Sequence, residues 1–389
     1  MSPVRSPVSF ALASSLLFAC GSEAAPAPAP AAPAAGPTPA AATPATTTPA
    51  APPATPTPAA EVPLRDRPLP ERIAATTPTV PAPAPQTEGA ITLSAQTCTM
   101  DGPGFVGDDA FRTIGPIAWS SDGSLYVSDT EGQVRRYTVQ PGDACALTMD
   151  TSFGTNGELS VGEGMGARVA SIVSDARGHA YIATSMSGTT RVTGATVDFH
   201  CDTRGELSVA PDGSVGIAMF GGSNPQLVTF TDTGCTTAPW AATELPENLD
   251  SITFLDDQRI LVGGHAGSRA PHLARVYDRA GHPSGDAFGD TTDSLNADDH
   301  FCHVHGAIEC SHGLCVHDGN CRSLRVFDAQ QQVTAEISVS RTIGVSYPWV
   351  PSITVARDGV AYASASQQRG SASERTNVYD GYVFRLRGL

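Results

Sequence analysis

Short apolar runs, rich in β-branched residues and separated by tight polar turns, recur along the chain from about residue 89 onward. Ile117-Ala118-Trp119 leads through Asp122-Gly123 into Leu125-Tyr126-Val127, and Ile172-Val173 leads through Arg177-Gly178 into Ala180-Tyr181-Ile182. Leu207-Ser208-Val209 crosses Asp212-Gly213 to Val215-Gly216-Ile217, and Ile252-Thr253-Phe254 crosses Asp256-Asp257 to Ile260-Leu261-Val262. The last two units are Ile308-Glu309-Cys310, His312-Gly313, Leu314-Cys315-Val316 and Ile353-Thr354-Val355, Asp358-Gly359, Ala361-Tyr362. Asp-Gly between apolar runs signals a hairpin, because both turn residues tolerate positive φ. A third strand follows most hairpins, as in Val134–Tyr137, Leu227–Phe230, Ala274–Tyr277 and Leu324–Phe327.

The anchors Ile117, Ile172, Leu207, Ile252, Ile308 and Ile353 recur at intervals of roughly 35–55 residues, the length of a four-stranded propeller blade. The sixth unit ends on a third strand, Tyr382–Leu386, just before Leu389. Its fourth strand is expected from Ala90–Ser94, ahead of the first unit, so that both ends of the chain pair and no sheet edge is left bare. The predicted fold class is therefore all-β, a six-bladed β-propeller over residues 89–389 behind a disordered N-terminal stalk. A β-sandwich is the rival, but it does not account for one hairpin repeated six times.

The first quarter of the chain has a different character. Arg5 precedes a mostly apolar stretch from Val8 to Ala19, too short to span a bilayer and of the length of a secretory h-region. Leu17-Phe18-Ala19-Cys20 resembles the lipobox of bacterial lipoproteins, which implies a signal peptide over 1–19 and lipid attachment at Cys20. The plainer alternative is an ordinary signal peptide with an incidental cysteine. Gly21 after the cysteine implies, by the same resemblance, the outer membrane rather than the inner one. Residues 20–88 are dominated by Ala, Pro and Thr, too little apolar surface to offset ordering entropy, so a disordered linker is expected. Polyproline II at roughly 3.1 Å per residue would let it reach on the order of 200 Å.

Every basic residue is arginine, and 23 of them face 39 acidic residues for a net charge of −16. The absence of lysine excludes Schiff-base and lysine-base chemistry. The acidic balance argues against nucleic acid, which needs basic patches. Of nine cysteines, eight remain beyond Cys20, an even number suited to disulfides in an oxidising compartment. Cys145, Cys201 and Cys235 lie at nearly equal distances beyond their anchors and so are expected at equivalent outer-strand positions, with Cys98 as a fourth. Cys302, Cys310, Cys315 and Cys321 crowd into one blade. The connectivity stays open, with pairing expected inside each group of four.

The stretch His305-Gly306-Ala307-Ile308, Gly313-Leu314-Cys315-Val316-His317-Asp318-Gly319-Asn320, Arg322, Leu324-Arg325-Val326-Phe327-Asp328 resembles an NHL repeat. Leu125–Asp129 with Val134–Tyr137 is a weaker copy. Met149–Gly157 resembles the D-x-S-F-G-x-x-G box of a bacterial propeller repeat, as does Ile260–Gly264 followed by Arg275–Tyr277 and Phe288–Asp290. These likenesses imply a six-bladed propeller and carry no single function.

Candidate chemistry concentrates in His300, His303, His305, His312 and His317, interleaved with four cysteines. His303 and His305 have strand spacing, so both rings can share a face and a divalent metal with His300. NHL-type propellers include an amidating lyase whose zinc is held by histidines near blade starts, and His305-Gly306 matches one such position. The bland alternative is exposed loop histidines around a disulfide knot. Lactone-hydrolysing propellers, which hold calcium in the central funnel, suggest Glu309, Asn248, Asp250 and Asp175 as contributors, against the reading of these acids as loop caps. Trp119, Trp240 and Trp349 read as blade-packing residues. Arg135, Arg136, Arg275, Arg325 and Arg385 recur on third strands, where they can pair with acids of neighbouring blades or stay solvated.

The sequence thus predicts a lipoprotein of the bacterial cell envelope whose propeller head binds an envelope protein or a glycan, touches the membrane only through its lipid anchor, and binds no nucleic acid. No catalytic residue and no cofactor are predicted beyond the metal option. The alternative is a metal-dependent propeller hydrolase or lyase.

Overall fold

The computed structural model describes residues 86–88, 91–107, 113–129, 132–142, 144–162, 168–218, 225–231, 234–266, 272–289, 304–310, 313–318, 323–339, 342, 349–355, 360–368 and 379–389. The expected signal segment, Cys20 and the expected linker up to position 85 lie outside these residues, while Gln86–Glu88, expected at the end of that linker, form a strand. Among the described residues no helix is long and apolar enough to cross a membrane.

Six sheets form the blades of an all-β propeller. Four short strands come first: β1 (Gln86–Glu88), β2 (Ile91–Thr97), β3 (Thr99–Met100) and β4 (Phe105–Gly107). Blade 1 holds β5 (Ile117–Trp119), β6 (Ser124–Ser128), β7 (Gln133–Val139), β8 (Ala146–Met149) and the short β9 (Glu158–Ser160). Blade 2 is β10 (Val169–Ser174), β11 (His179–Thr184), β12 (Gly188–Thr193) and β13 (Thr196–Cys201), and blade 3 is β14 (Glu206–Val209), β15 (Val215–Ala218), β16 (Gln226–Thr231) and β17 (Gly234–Pro239). Blade 4 is β18 (Asn248–Phe254), β19 (Arg259–His265) and β20 (His272–Asp278). Blade 5 is β21 (Val304–Cys310), β22 (Gly313–Asp318), β23 (Ser323–Phe327) and β24 (Val333–Ser338); blade 6 is β25 (Trp349–Val355), β26 (Ala361–Gln368) and β27 (Tyr379–Arg387).

Blade 6 is completed by β2, which pairs antiparallel with β27 from Ser94↔Arg387 to Thr97↔Phe384. The strand anticipated at Ala90–Ser94 is thus the closing strand, running three residues further than its sequence suggested. Blade 4 departs from the four-strand expectation among the described residues: beyond β20 they mark its edge by two isolated bridges, Ala274↔Phe288 and Tyr277↔Pro283.

Three turns of the predicted Asp-Gly type share one geometry. Gly123, Gly178 and Gly213 all have φ of 87°, while Asp122, Arg177 and Asp212 are not among the positive-φ residues. In each, the glycine N–H donates to the carbonyl three residues back, as from Gly123 to Ser120 at 3.0 Å and from Gly213 to Ala210 at 2.9 Å. These are type I turns followed by a left-handed glycine, not the two-residue turns in which both positions have positive φ. The Asp instead accepts from the backbone two residues on, Asp122 Oδ1 from Ser124 N at 2.9 Å and Asp212 Oδ1 from Ser214 N at 2.8 Å.

Each blade is clasped between two others, so alternate residues of one strand face opposite neighbours. In β11, Ala180 and Ile182 pack toward blade 1 with Tyr126 and Phe153, while Tyr181 and Ala183 pack toward blade 3 with Leu207 and Ile217. That is why the strands read as continuous apolar runs rather than as polar–apolar alternation. Six hydrophobic clusters result, one at each blade interface.

Two disulfides staple neighbouring blades at their outer strands: Cys98–Cys145 joins blades 6 and 1, and Cys201–Cys235 joins blades 2 and 3. Cys310–Cys315 closes a hairpin within blade 5. Cys302 and Cys321 lie outside the described residues. Trp119 stacks on Tyr362 of blade 6 with centroids 5.4 Å apart, and Trp240 meets Tyr277 of blade 4 edge-on at 5.5 Å. The side chain of Trp349 is outside the described set.

The third-strand arginines are mostly turned into the protein and find acids chiefly on their own blade. Arg135 bonds Glu158 of β9 at 2.7 Å, Arg191 bonds Asp198 of β13 at 3.2 Å, and Arg325 meets Glu336 of β24 at 3.3 Å. Arg136 likewise pairs with Asp150 just beyond β8, and Arg385 donates to Gly142 O at 2.9 Å. Arg275 bonds Glu244 at 2.7 Å, in the segment between β17 and β18. The expected pairing with neighbouring blades is therefore corrected for Arg135, Arg136 and Arg325. Contacts of that kind come from Arg259, which bonds Glu309 of blade 5 at 2.6 Å, and Arg279, which bonds Asp212 of blade 3 at 2.8 Å.

Candidate functional site

The innermost strands of all six blades line an axial cavity of about 300 Å³. Its wall mixes the apolar anchors Ile117, Ile172, Leu207, Ile308 and Ile353 with hydrogen-bonding side chains. The latter include Ser171, Ser174, Glu206, Ser208, Thr253, His305, His317, Ser352 and Thr354. Several of the hydroxyls also bind the inner strands together. Ser171 Oγ accepts from Leu207 N at 3.1 Å, Ser208 Oγ from Phe254 N at 2.8 Å, Thr253 Oγ1 from Ala307 N at 3.3 Å, and Thr354 Oγ1 from Trp119 N at 3.0 Å.

Glu206 opens β14 and presents its carboxyl to this cavity. Burial among protein atoms pushes its pKa up to about 8, and the Ser171 hydroxyl, donating to Oε1 at 3.5 Å, offsets only part of that. At neutral pH the group is mostly a neutral carboxylic acid, able to donate as well as accept. The sequence signal was an acid directly before a strand anchor, a position indistinguishable from an exposed loop cap.

β-Bulges at the entrance of the inner strands decide which side chains are presented there. The register skips one residue between Val169 and Ser171, between Leu249 and Ser251, and between Val304 and Gly306. The extra residues are Ala170, Asp250 and His305, so the last two hold corresponding places in adjacent blades. A bulge bends its strand and re-aims the side chain it carries. His305 comes to lie beside the buried His317, with ring centroids 5.8 Å apart, and both rings border the cavity.

Of the other predicted ligands, His300, His303 and His312 lie outside the described residues. The four suggested calcium ligands are not gathered in the funnel. Glu309 is drawn out to Arg259 and is an exposed ion-pair partner. Asp175 caps the β10–β11 turn: its Oδ1 accepts from Arg177 N and His179 N, and its Oδ2 binds His179 Nδ1 at 2.8 Å and Tyr181 Oη at 3.0 Å. Burial opposes ionisation of Asp175, but these hydrogen bonds outweigh it and hold the carboxyl below its ordinary value. Asn248 lies at the start of β18, two residues before Asp250. Asp250 instead joins His272, with Oδ2 to Nδ1 at 2.5 Å, and accepts from Val304 N at 3.3 Å.

His265 and His272 were not singled out in the sequence. They end β19 and begin β20, and they are direct cross-strand partners. Two histidines flanking a hairpin loop were the available signal, but their register became visible only with the strand pairing. Glu206 and this pair are thus additions made by the fold.

These features define the class: a six-bladed β-propeller with a polar axial cavity. No family model matches the sequence, and no curated protein matches it. Solved structures similar to it include a catalytically inactive virginiamycin B lyase from Staphylococcus aureus with quinupristin, at 11% identity and a TM-score of 0.44, covering 70% of this chain and 80% of that one. The WD40 domain of Neurospora crassa Pan2 is similar at 9% identity and a TM-score of 0.44, covering 72% and 90%. A nidogen/laminin complex chain is similar at 16% identity and a TM-score of 0.40, covering 58% and 80%.

Proposed function

We propose that this protein is a lipoprotein of the bacterial cell envelope, anchored through Cys20, whose propeller is a binding head for an envelope protein or a glycan. The observation that carries the binding role is the axial cavity. Its hydroxyls, its neutral carboxyl at Glu206 and its apolar anchors supply the mixture of hydrogen bonds and apolar faces that fixes a small polar group in a concave site. At about 300 Å³ the cavity takes a side-chain tip or one or two sugar units, with the ring face around it left for the rest of the partner. The described chain begins with β1, which pairs with the outer side of β2 in blade 6, and so at the rim rather than at the cavity. The lipobox and the proline-rich linker support the anchored placement, and the cavity supports the binding role.

Two measurements test this reading. Metabolic labelling with a palmitate analogue should mark the wild-type chain and not Cys20→Ser; label persisting in Cys20→Ser, or absent from both, removes the anchor. Binding of the purified full chain to isolated envelope material should fall at least tenfold in Ser174→Trp, which fills the cavity. Equal binding by that variant would place the partner elsewhere.

A second reading, the metal-dependent hydrolase or lyase, is favoured by His305 and His317 meeting at the cavity wall. Its test is turnover that disappears in His305→Ala.

A further inference from the structure

The geometry points to a zinc-class divalent metal site in blade 4, built from Asp250, His265 and His272 and distinct from the His305–His317 pair at the cavity wall. One ligand atom from each of these residues lies within 4.8 Å of the others. The three come from adjacent strands at one end of the blade: Asp250 from the bulge of β18, His265 from the end of β19, His272 from the start of β20.

The arrangement is set by backbone pairing rather than by a flexible loop. His265↔His272 is a cross-strand pair, so both rings rise from one face of the sheet, and their centroids are 4.3 Å apart. The bulge at Asp250 turns its carboxylate to the His272 ring. Asp250 is 4% exposed, and its Oδ2 is further fixed by the N–H of Val304 from blade 5 at 3.3 Å. A carboxylate so held needs little reorganisation to serve as a ligand beside the His272 ring.

The donor set chooses among metals. Two imidazoles and one carboxylate suit zinc and neighbouring first-row divalent ions. Calcium and magnesium prefer all-oxygen shells, which this trio does not offer. Tetrahedral zinc with bonds of about 2.1 Å places its ligand atoms roughly 3.4 Å apart. The observed spacing lies within a small side-chain adjustment of that: the Asp250–His272 contact opens by about 1 Å and His265 closes in. Three protein ligands leave a fourth position open. His265 also borders a second cavity of about 250 Å³, walled by Leu245, Pro246, Leu273 and Tyr277.

The test uses the purified full chain, stripped with chelator and then titrated with Zn(II), with retained metal counted by elemental analysis. Wild type should keep one tightly bound ion that His272→Ala loses and that His265→Gln holds at least tenfold more weakly. His305→Ala and His300→Ala/His303→Ala should keep it. Co(II) in place of zinc should give visible d–d absorption in wild type and in His305→Ala, but not in His272→Ala. His265 is half-buried at the strand end, so His265→Gln decides the matter if His272→Ala fails to fold. A wild-type chain that holds no zinc, or blade 4 variants that hold it as well as wild type, would overturn the site and leave Asp250–His272 as a structural hydrogen bond. Zinc lost only with His305 would move the metal to the cavity wall and overturn it equally.

Discussion

Thr354 Oγ1 accepts a hydrogen bond from the backbone N–H of Trp119 at 3.0 Å, joining residues 235 positions apart where the last blade meets the first. Ser208 and Thr253 make the corresponding bond to the next inner strand. These hydroxyls sit directly after the anchors Leu207, Ile252 and Ile353, so one sequence feature serves three interfaces. Thr354→Val keeps the branched shape and leaves the Trp119 N–H without its acceptor, which should cost about 1–2 kcal/mol. Urea denaturation of the full chain checks this. Stability unchanged from wild type would mean that this N–H finds solvent instead.

Cys98–Cys145 and Cys201–Cys235 tie outer strands of neighbouring blades, the first where the chain passes from β2 into β3 beside β8. The first also holds the closing strand in place. Non-reducing digestion should yield linked peptides for these two pairs and for Cys310–Cys315. Cys98→Ser/Cys145→Ser should lower stability by about 2–4 kcal/mol. Peptides linking other partners would refute the pairing.

Much of the ring was legible in the residues because propeller strands are buried on both faces. Continuous runs such as Leu125-Tyr126-Val127 are what such burial requires, and glycine turns mark where the chain reverses. The nearly equal offsets of Cys145, Cys201 and Cys235 placed all three on or beside outer strands but not at equivalent positions: Cys145 immediately precedes β8 and Cys235 stands at the start of β17, whereas Cys201 ends β13. The site was less legible. A bulge adds one residue without a compositional mark, so Asp250 and His305 could be named as candidates but not seen to hold corresponding bulge positions in adjacent blades. His265 and His272 become partners only through a register that the length of the β19–β20 connection sets. Glu206 looks like any acid before a strand until the other five blades close around it. The partners of Arg135, Arg136 and Arg325 were hidden for a related reason: Glu158, Asp150 and Glu336 lie on or beside outer or supplementary strands, whose hydrophobic patterns are weaker.

The closing strand carries a direct test. Leu93 is fully buried against Phe384 and Leu386, and β2 supplies the outer pairing of β27. A chain beginning at Gly102 lacks this strand, its neighbours β1 and β3, and Cys98. It should melt at least about 5 °C below one beginning at Gly89. To separate the strand from the disulfide, the comparison is repeated with Cys98→Ser/Cys145→Ser in the longer chain. That variant should lie between the two, and equal melting of all three would count against closure by β2.

Glu206 gives stability a pH dependence whose direction follows from its burial. The ordinary value of 4.5 for a glutamate is raised to about 8 in the folded protein. Between those values the native state keeps a proton that the unfolded chain has released. The stability that the neutral carboxyl contributes is therefore whole below about pH 4.5 and declines as pH rises, being lost through pH 8. Glu206→Gln retains the shape and an acceptor for Ser171 but cannot ionise. The variant should match wild type closely at pH 4.5 and exceed it at pH 9 by on the order of 1–3 kcal/mol, a figure kept low because the carboxyl borders an open cavity. Urea melts of both full-length proteins at pH 4.5, 7 and 9 measure the difference. A gap that stays constant across this range would show that Glu206 titrates as it does in the unfolded chain, and that the cavity presents a charge rather than a neutral acid at neutral pH.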